Sequence, residues 1–90
     1  MLTSFNAALV RLGTVEVLVV SVREQILADD WECDLVRLAI EWRYHRPVVL
    51  LAQDAHGTAE YRGRPALVAG VRRVDPSRLP WQRIQPEPRR

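Results

Sequence analysis

The chain predicts an α/β (α+β) fold, and three stretches carry that prediction. Pro47 to Val74 reads as strand, tight turn, strand and helix. Val48-Val49-Leu50-Leu51-Ala52-Gln53 is an apolar, β-branched run, Asp54-Ala55-His56-Gly57 supplies turn chemistry, and Thr58 to Arg62 returns as a short strand. Thr14 to Val22 is a further strand, apolar on both faces in its second half, which belongs inside a sheet covered by helices. A helical pattern from about Trp31 to Tyr44 lies between the two. The expected architecture is a small mixed three-stranded sheet in the order (α)-β-α-β-β-α. The crossover from Val22 to Val48 joins parallel strands, and an extended C-terminal tail follows.

Each element has a local cause. Leu2, Phe5, Leu9 and Leu12 fall at spacings of three, four and three, which predicts a short N-terminal helix stopped by Gly13. Arg23 to Ala28 is a connector or one loose helical turn. Asp29 or Asp30 caps the main helix, whose first turn is acidic and whose end carries Arg43, His45 and Arg46, as the macrodipole favours. Trp31, Leu35, Leu38, Ala39 and Trp42 are expected to face the core, widened by Val36 and Ile40. Pro47 ends that helix, because the residue before a proline is pushed out of the α region. Gly57 suits the hairpin loop, and Pro65 suits the first turn of a last helix whose buried stripe is Leu67, Val68, Val71 and Val74. Asp75-Pro76 stops it. Residues 1–76 are read as one domain and 77–90 as a Pro- and Arg-rich tail, partly docked through Leu79, Trp81 and Ile84 and disordered from Gln85.

Ninety residues allow one core near the small end of what folds alone. The apolar runs Val17–Val20 and Val48–Ala52 fall far short of the roughly 20 residues a membrane span needs. The N-terminus lacks the basic and apolar regions of a secretory signal, so the cytoplasm is the expected compartment. Cys33 is the single cysteine, which excludes an internal disulfide framework and a zinc cluster. All 13 basic residues are arginine, the mark of a GC-rich, bacterial coding sequence or of selection for guanidinium forks. Net charge is +2, but residues 24–41 balance at −5 and residues 42–90 at +6. Helix capping explains much of the acidic block.

The run Arg46-Pro47-Val48-Val49-Leu50-Leu51, then Asp54-Ala55-His56-Gly57, Tyr61-Arg62-Gly63 and Ala66-Leu67-Val68, resembles the C-terminal half of the thioredoxin-like fold. The resemblance covers residues 29–74 and implies a cis proline beside a redox site, which would point to Arg46 and Pro47. The Cys-x-x-Cys of that family is missing. Trp31-Glu32-Cys33-Asp34 places one thiol in a helical first turn, where four neighbouring acids favour its neutral form.

Other chemistry is sparse. His45 reads as a helix C-cap and His56 as a loop residue; together they match no metal spacing. The glycines are isolated, so no phosphate loop is present, and no serine has a nucleophile-elbow context. No catalytic, cofactor or metal residue is assigned. Candidate partner-binding residues are Trp81 and Leu79 in the tail, with Trp81 as the anchor, and the arginines Arg62, Arg64, Arg72 and Arg73. These support a non-enzymatic protein-interaction or accessory module, homodimeric through an unprotected edge strand. The alternative is a nucleic-acid-binding protein using the arginine face beside Tyr61. A degenerate thioredoxin-like redox protein is the third reading.

Overall fold

In a computed structural model, residues 4–85 are described, and they form a mixed α+β fold with a five-stranded sheet. The elements are β1 (Phe5–Leu12), β2 (Val15–Ser21), α1 (Glu24–Ala28), α2 (Asp30–Tyr44), β3 (Val48–Gln53), β4 (Ala59–Arg62), α3 (Pro65–Val71), a 3₁₀ turn (Pro76–Arg78) and β5 (Gln82–Ile84). The sheet order is β4-β3-β2-β1-β5, with β2 and β3 parallel and every other pair antiparallel.

Two of the five strands were not expected. The N-terminal stretch is a strand and not a helix: Ala7 pairs with Val20 and Leu12 with Val15 across a two-residue turn. Gly13 takes φ 65° there, the glycine-first form of a tight hairpin. Its 3-4-3 leucine spacing competes with a strict alternation in which Phe5 and Ala7 face one layer while Ala8, Val10 and Leu12 face the other. Pairing with the long apolar strand beside it wins, because Ala7 and Ala8 are then buried on opposite faces of the sheet, although Leu9 stays partly exposed. The fifth strand comes from the tail, where Phe5 pairs with Ile84 and Ala7 with Gln82. Expectations about residues 1–3 and 86–90 lie outside the described residues.

The sheet is filled on both sides. Val20, Val48, Leu50 and Ala52 point with Ala7 towards Leu27 of α1 and Cys33 and Ile40 of α2. Val17, Val19, Val49, Leu51 and Tyr61 point the other way, onto Val71 of α3 and Leu79. Strand β3 is buried on both faces, as a run of Val and Leu at the centre of a covered sheet should be.

Caps and turns follow the sequence closely. Asp29 caps α2 by accepting from the backbone N–H of Trp31 at 2.9 Å and of Glu32 at 3.2 Å. His45 closes the helix in the left-handed region (φ 56°), its N–H donating to the Glu41 carbonyl. In the β3–β4 loop the Asp54 carboxylate accepts from His56 and Thr58 N–H, and Gly57 supplies φ 83°. The last helix ends at Val71, and Arg72 to Val74 follow it as turns. Gly70 lets α3 sit tight on β1, since a Cβ there would lie 2.8 Å from Leu12 Cδ1.

Candidate functional site

Helix α2 is apolar on two opposite sides. The side on the sheet is Cys33, Val36, Ile40 and Tyr44, with Tyr44 edge-on to Phe5 at 6.3 Å between ring centroids. The residues expected to face the core point the other way. Trp31, Leu35, Leu38 and Trp42 are 74, 52, 50 and 81 % exposed, and Ala39 beside them is also exposed. Turning about 100° per residue, Val36 and Ile40 lie on the far side of the helix from that stripe and cannot widen it. Cys33, Val36, Ile40 and Tyr44 instead pack with Val20, Val48, Leu50 and Ala52 of the sheet. A polar anchor also fixes the helix rotation.

That anchor is Glu41, whose side chain is only 14 % exposed. Its Oε2 accepts from the backbone N–H of Val48 at 2.9 Å, from Arg64 Nη1 at 2.7 Å and from Arg37 Nη1 at 3.3 Å, and Oε1 accepts from Arg64 Nη2 at 3.0 Å. The Arg64 fork holds the Glu41 carboxyl below the usual carboxylate range; burial opposes the shift, and the Val48 N–H adds to it. One carboxylate therefore joins the end of α2, the first residue of β3 and the residue that caps α3. It sets the Trp31–Trp42 side outward.

The arginines expected to share one surface are divided between two. Arg62 pairs with Glu60 at 2.7 Å and donates to the Tyr61 carbonyl, and Arg64 grips Glu41; both lie on the α2 side. Arg72 stacks over the Tyr61 ring on the opposite side, at 5.6 Å from its centroid, and Arg73 is exposed at the end of α3. The two tail residues are engaged within the chain. Leu79 is 7 % exposed in the layer with Tyr61 and Val71, and Trp81 is half-buried, its indole N–H donating to the Pro76 carbonyl at 2.8 Å.

Cys33 is buried against the sheet. Burial pushes its thiol up; Asp34 and Asp30 add to this, while Arg62 and Arg37 oppose it. The Arg46–Pro47 bond is trans, like every peptide among the described residues. Those residues include no group of three His, Cys, Asp or Glu side chains able to hold a metal ion. No described helix is long and apolar enough to cross a membrane. A groove of about 350 Å³ runs between Tyr44 and β5 over Leu9 and Leu18; Arg46 at its edge is already paired with Glu16 at 3.2 Å.

The largest run of exposed apolar side chains among the described residues is the outward face of α2. Compared with protein-family models, curated proteins and solved structures, the chain matches none. The signal for this face was present in the sequence as two apolar stripes on one helix, 31-35-38-42 and 33-36-40-44.

Proposed function

We propose that the protein is a non-enzymatic interaction module whose recognition surface is the Trp31–Leu35–Leu38–Trp42 face of α2. One observation carries the reading: four large apolar side chains lie in a row on the side of the helix away from the core. Fully burying a side chain of that size is worth roughly 1.5–3 kcal/mol, and a monomer leaves most of this unrealised at Trp31 and Trp42 and about half of it at Leu35 and Leu38. Trp31 and Trp42 alone present about 390 Å² if a whole tryptophan offers about 250 Å². With half of each leucine the patch exceeds about 450 Å², high in the range of about 300–600 Å² for the largest patch on a monomer. Tryptophans flanking leucines also match the composition of interface hot spots.

The polyanion-binding reading ranks second. Of the four arginines that suggested it, Arg62 and Arg64 are bound to acids of their own chain, and Arg72 lies on a different face from both.

A photo-crosslinking residue at position 38, in the full chain expressed in its host cells, tests the proposal. A discrete protein adduct is expected, lost when Trp31→Ser and Trp42→Ser are combined with it and not formed from the exposed loop position 55. No adduct, or the same adducts from both positions, refutes the reading.

A further inference from the structure

The outward stripe reads the same from either end. Its residues run Trp, Leu, Leu, Trp and its spacings run four, three, four. Rotating α2 by a two-fold axis placed between Leu35 and Leu38 therefore superposes like on like. Building on the recognition surface proposed above, we infer that the occupant of this stripe is a second copy of the chain, bound through α2 in an antiparallel, two-fold pair.

Three features argue for a copy rather than an unrelated partner. The first is the palindrome. In the antiparallel pair Trp31 packs on the partner's Trp42 and Leu35 on the partner's Leu38. This is the alternating four-and-three seam of a coiled coil, about 16 Å long at 1.5 Å per residue. An isologous interface needs a self-complementary patch, and this one is symmetric in shape and in residue type.

The second is charge. The backbone places Glu32 and Arg43 on the same flank of α2, eleven residues apart, near its first and last turns. The Arg43 guanidinium lies over the Tyr44 ring at 5.9 Å from its centroid, from which it must swing to reach a second copy. A two-fold axis perpendicular to antiparallel helices keeps like flanks together, so Glu32 of each copy meets the partner's Arg43. The opposite flank brings Asp34 and Glu41 towards their counterparts. Those acids are already compensated by Arg37, at 3.5 and 3.3 Å, and Glu41 also by Arg64. A parallel pair would instead gather the acidic first turns of both copies, Asp29, Asp30, Glu32 and Asp34, at one end. The antiparallel pair also opposes the helix dipoles.

The third is area. A standard interface takes about 800 Å² from each partner. The four stripe residues supply more than half of that, and the exposed Glu32, Asp34, Ala39 and Arg43 on either side form a rim.

The test is the mass of the full chain in solution, by sedimentation velocity over micromolar to millimolar concentrations, with variants on both parts of the seam. The wild type is expected to dimerise. Leu35→Asp with Leu38→Asp is expected to raise the dissociation constant about 100-fold or more. Both leucines are half-exposed in the monomer, so an unchanged circular dichroism spectrum reports that the variant folds. Glu32→Arg and Arg43→Glu alone each weaken the dimer about tenfold by setting like charges opposite one another. Mixed in equal amounts, these two single variants regain the wild-type affinity as a heterodimer, since every cross-copy contact is then Arg against Glu. A wild type that stays monomeric throughout overturns the inference, as does a dimer in which the mixture shows no recovery. A monomer whose position 38 still crosslinks to another protein ends the self-pairing and leaves the recognition surface standing. A monomer with no adduct ends both.

Discussion

Replacing Glu41 tests how the outward face of α2 is held in place. Its carboxylate takes four hydrogen bonds, two from the Arg64 fork, one from Arg37 and one from the backbone N–H of Val48. A hydrogen bond to a charged group is worth about 1.5–3 kcal/mol, but an ion pair with an exposed partner falls towards about 0–1 kcal/mol. Arg64 is half-exposed, so the pair counts at the lower figure. Glu41→Gln keeps an acceptor for Val48 and loses the charge, for about 1–2 kcal/mol. Glu41→Ala also strands the Val48 N–H at the start of a buried strand, and the total reaches about 2–3 kcal/mol. At about 4–8 °C per kcal/mol for a domain of this size, the alanine variant melts about 10–20 °C lower. The glutamine variant also isolates a pH effect. The folded-state pKa of Glu41 is depressed, so its contribution is fully present above the pKa of an unfolded glutamate and disappears as pH falls through the lower, folded value. Urea unfolding of wild type and Glu41→Gln from neutral pH into the acid range measures the difference directly. That difference should shrink towards zero below the usual carboxylate range. A gap of constant size across that window would refute the account, because it would place the loss in packing rather than in charge.

Two further outcomes follow from the same structure. Trp81→Ala should cost about 2–3 kcal/mol, because it removes a half-buried ring and the indole bond that ties the strand after it to the 3₁₀ turn. The loss should be the same at every protein concentration; one that vanishes on dilution would mean the ring acts between chains. Cys33 should react with a disulfide reagent no faster than the protein opens, since it is 3 % exposed and its thiol is pushed up. A fast reaction at neutral pH with native protein would favour the redox reading.

How much was legible depended on how local the cause was. The Asp29 cap, the Asp54–Gly57 turn and Pro65 at the start of α3 each rest on contacts within a few residues and are found where the sequence places them; α3 itself ends at Val71, short of the expected stop at Asp75-Pro76, where Asp75 instead caps the 3₁₀ turn. The parallel pairing of β2 with β3 was also readable, from the length of the crossover and the two-faced apolar run. The N-terminal strand was not. Its stretch is compatible with helix or strand until β2 lies beside it, and Ala7 and Ala8 are at home in a helix. β5 was hidden for a similar reason: Gln82-Arg83-Ile84 has no strand signal of its own and is ordered by the free edge of β1. The rotation of α2 failed differently. Two apolar stripes compete there, and the deciding contact, Glu41 with Val48 and Arg64, links residues up to 23 positions apart.

The uneven charge of the chain gains a second meaning from that rotation. The acidic block is mostly one helix, and its charges divide by flank. On one side Asp34, Arg37 and Glu41, joined by Arg64, form a chain of ion pairs that binds α2 to the rest of the fold. A guanidinium is well suited to the last link, where two nitrogens of Arg64 meet two oxygens of one carboxylate; a lysine would make a single contact. So at least this arginine has a role that base composition alone does not explain. On the other side Glu32 and Arg43 stand at opposite ends of the helix, too far apart to meet within one chain. A helix that needed only capping could place its acid and its base on any flank. Placing both on one flank, beside a stripe that is its own mirror in sequence, meets the requirement of an antiparallel pair. The charge-reversed mixture is therefore the decisive experiment: it restores binding only if the two charges that never meet in one molecule meet in two.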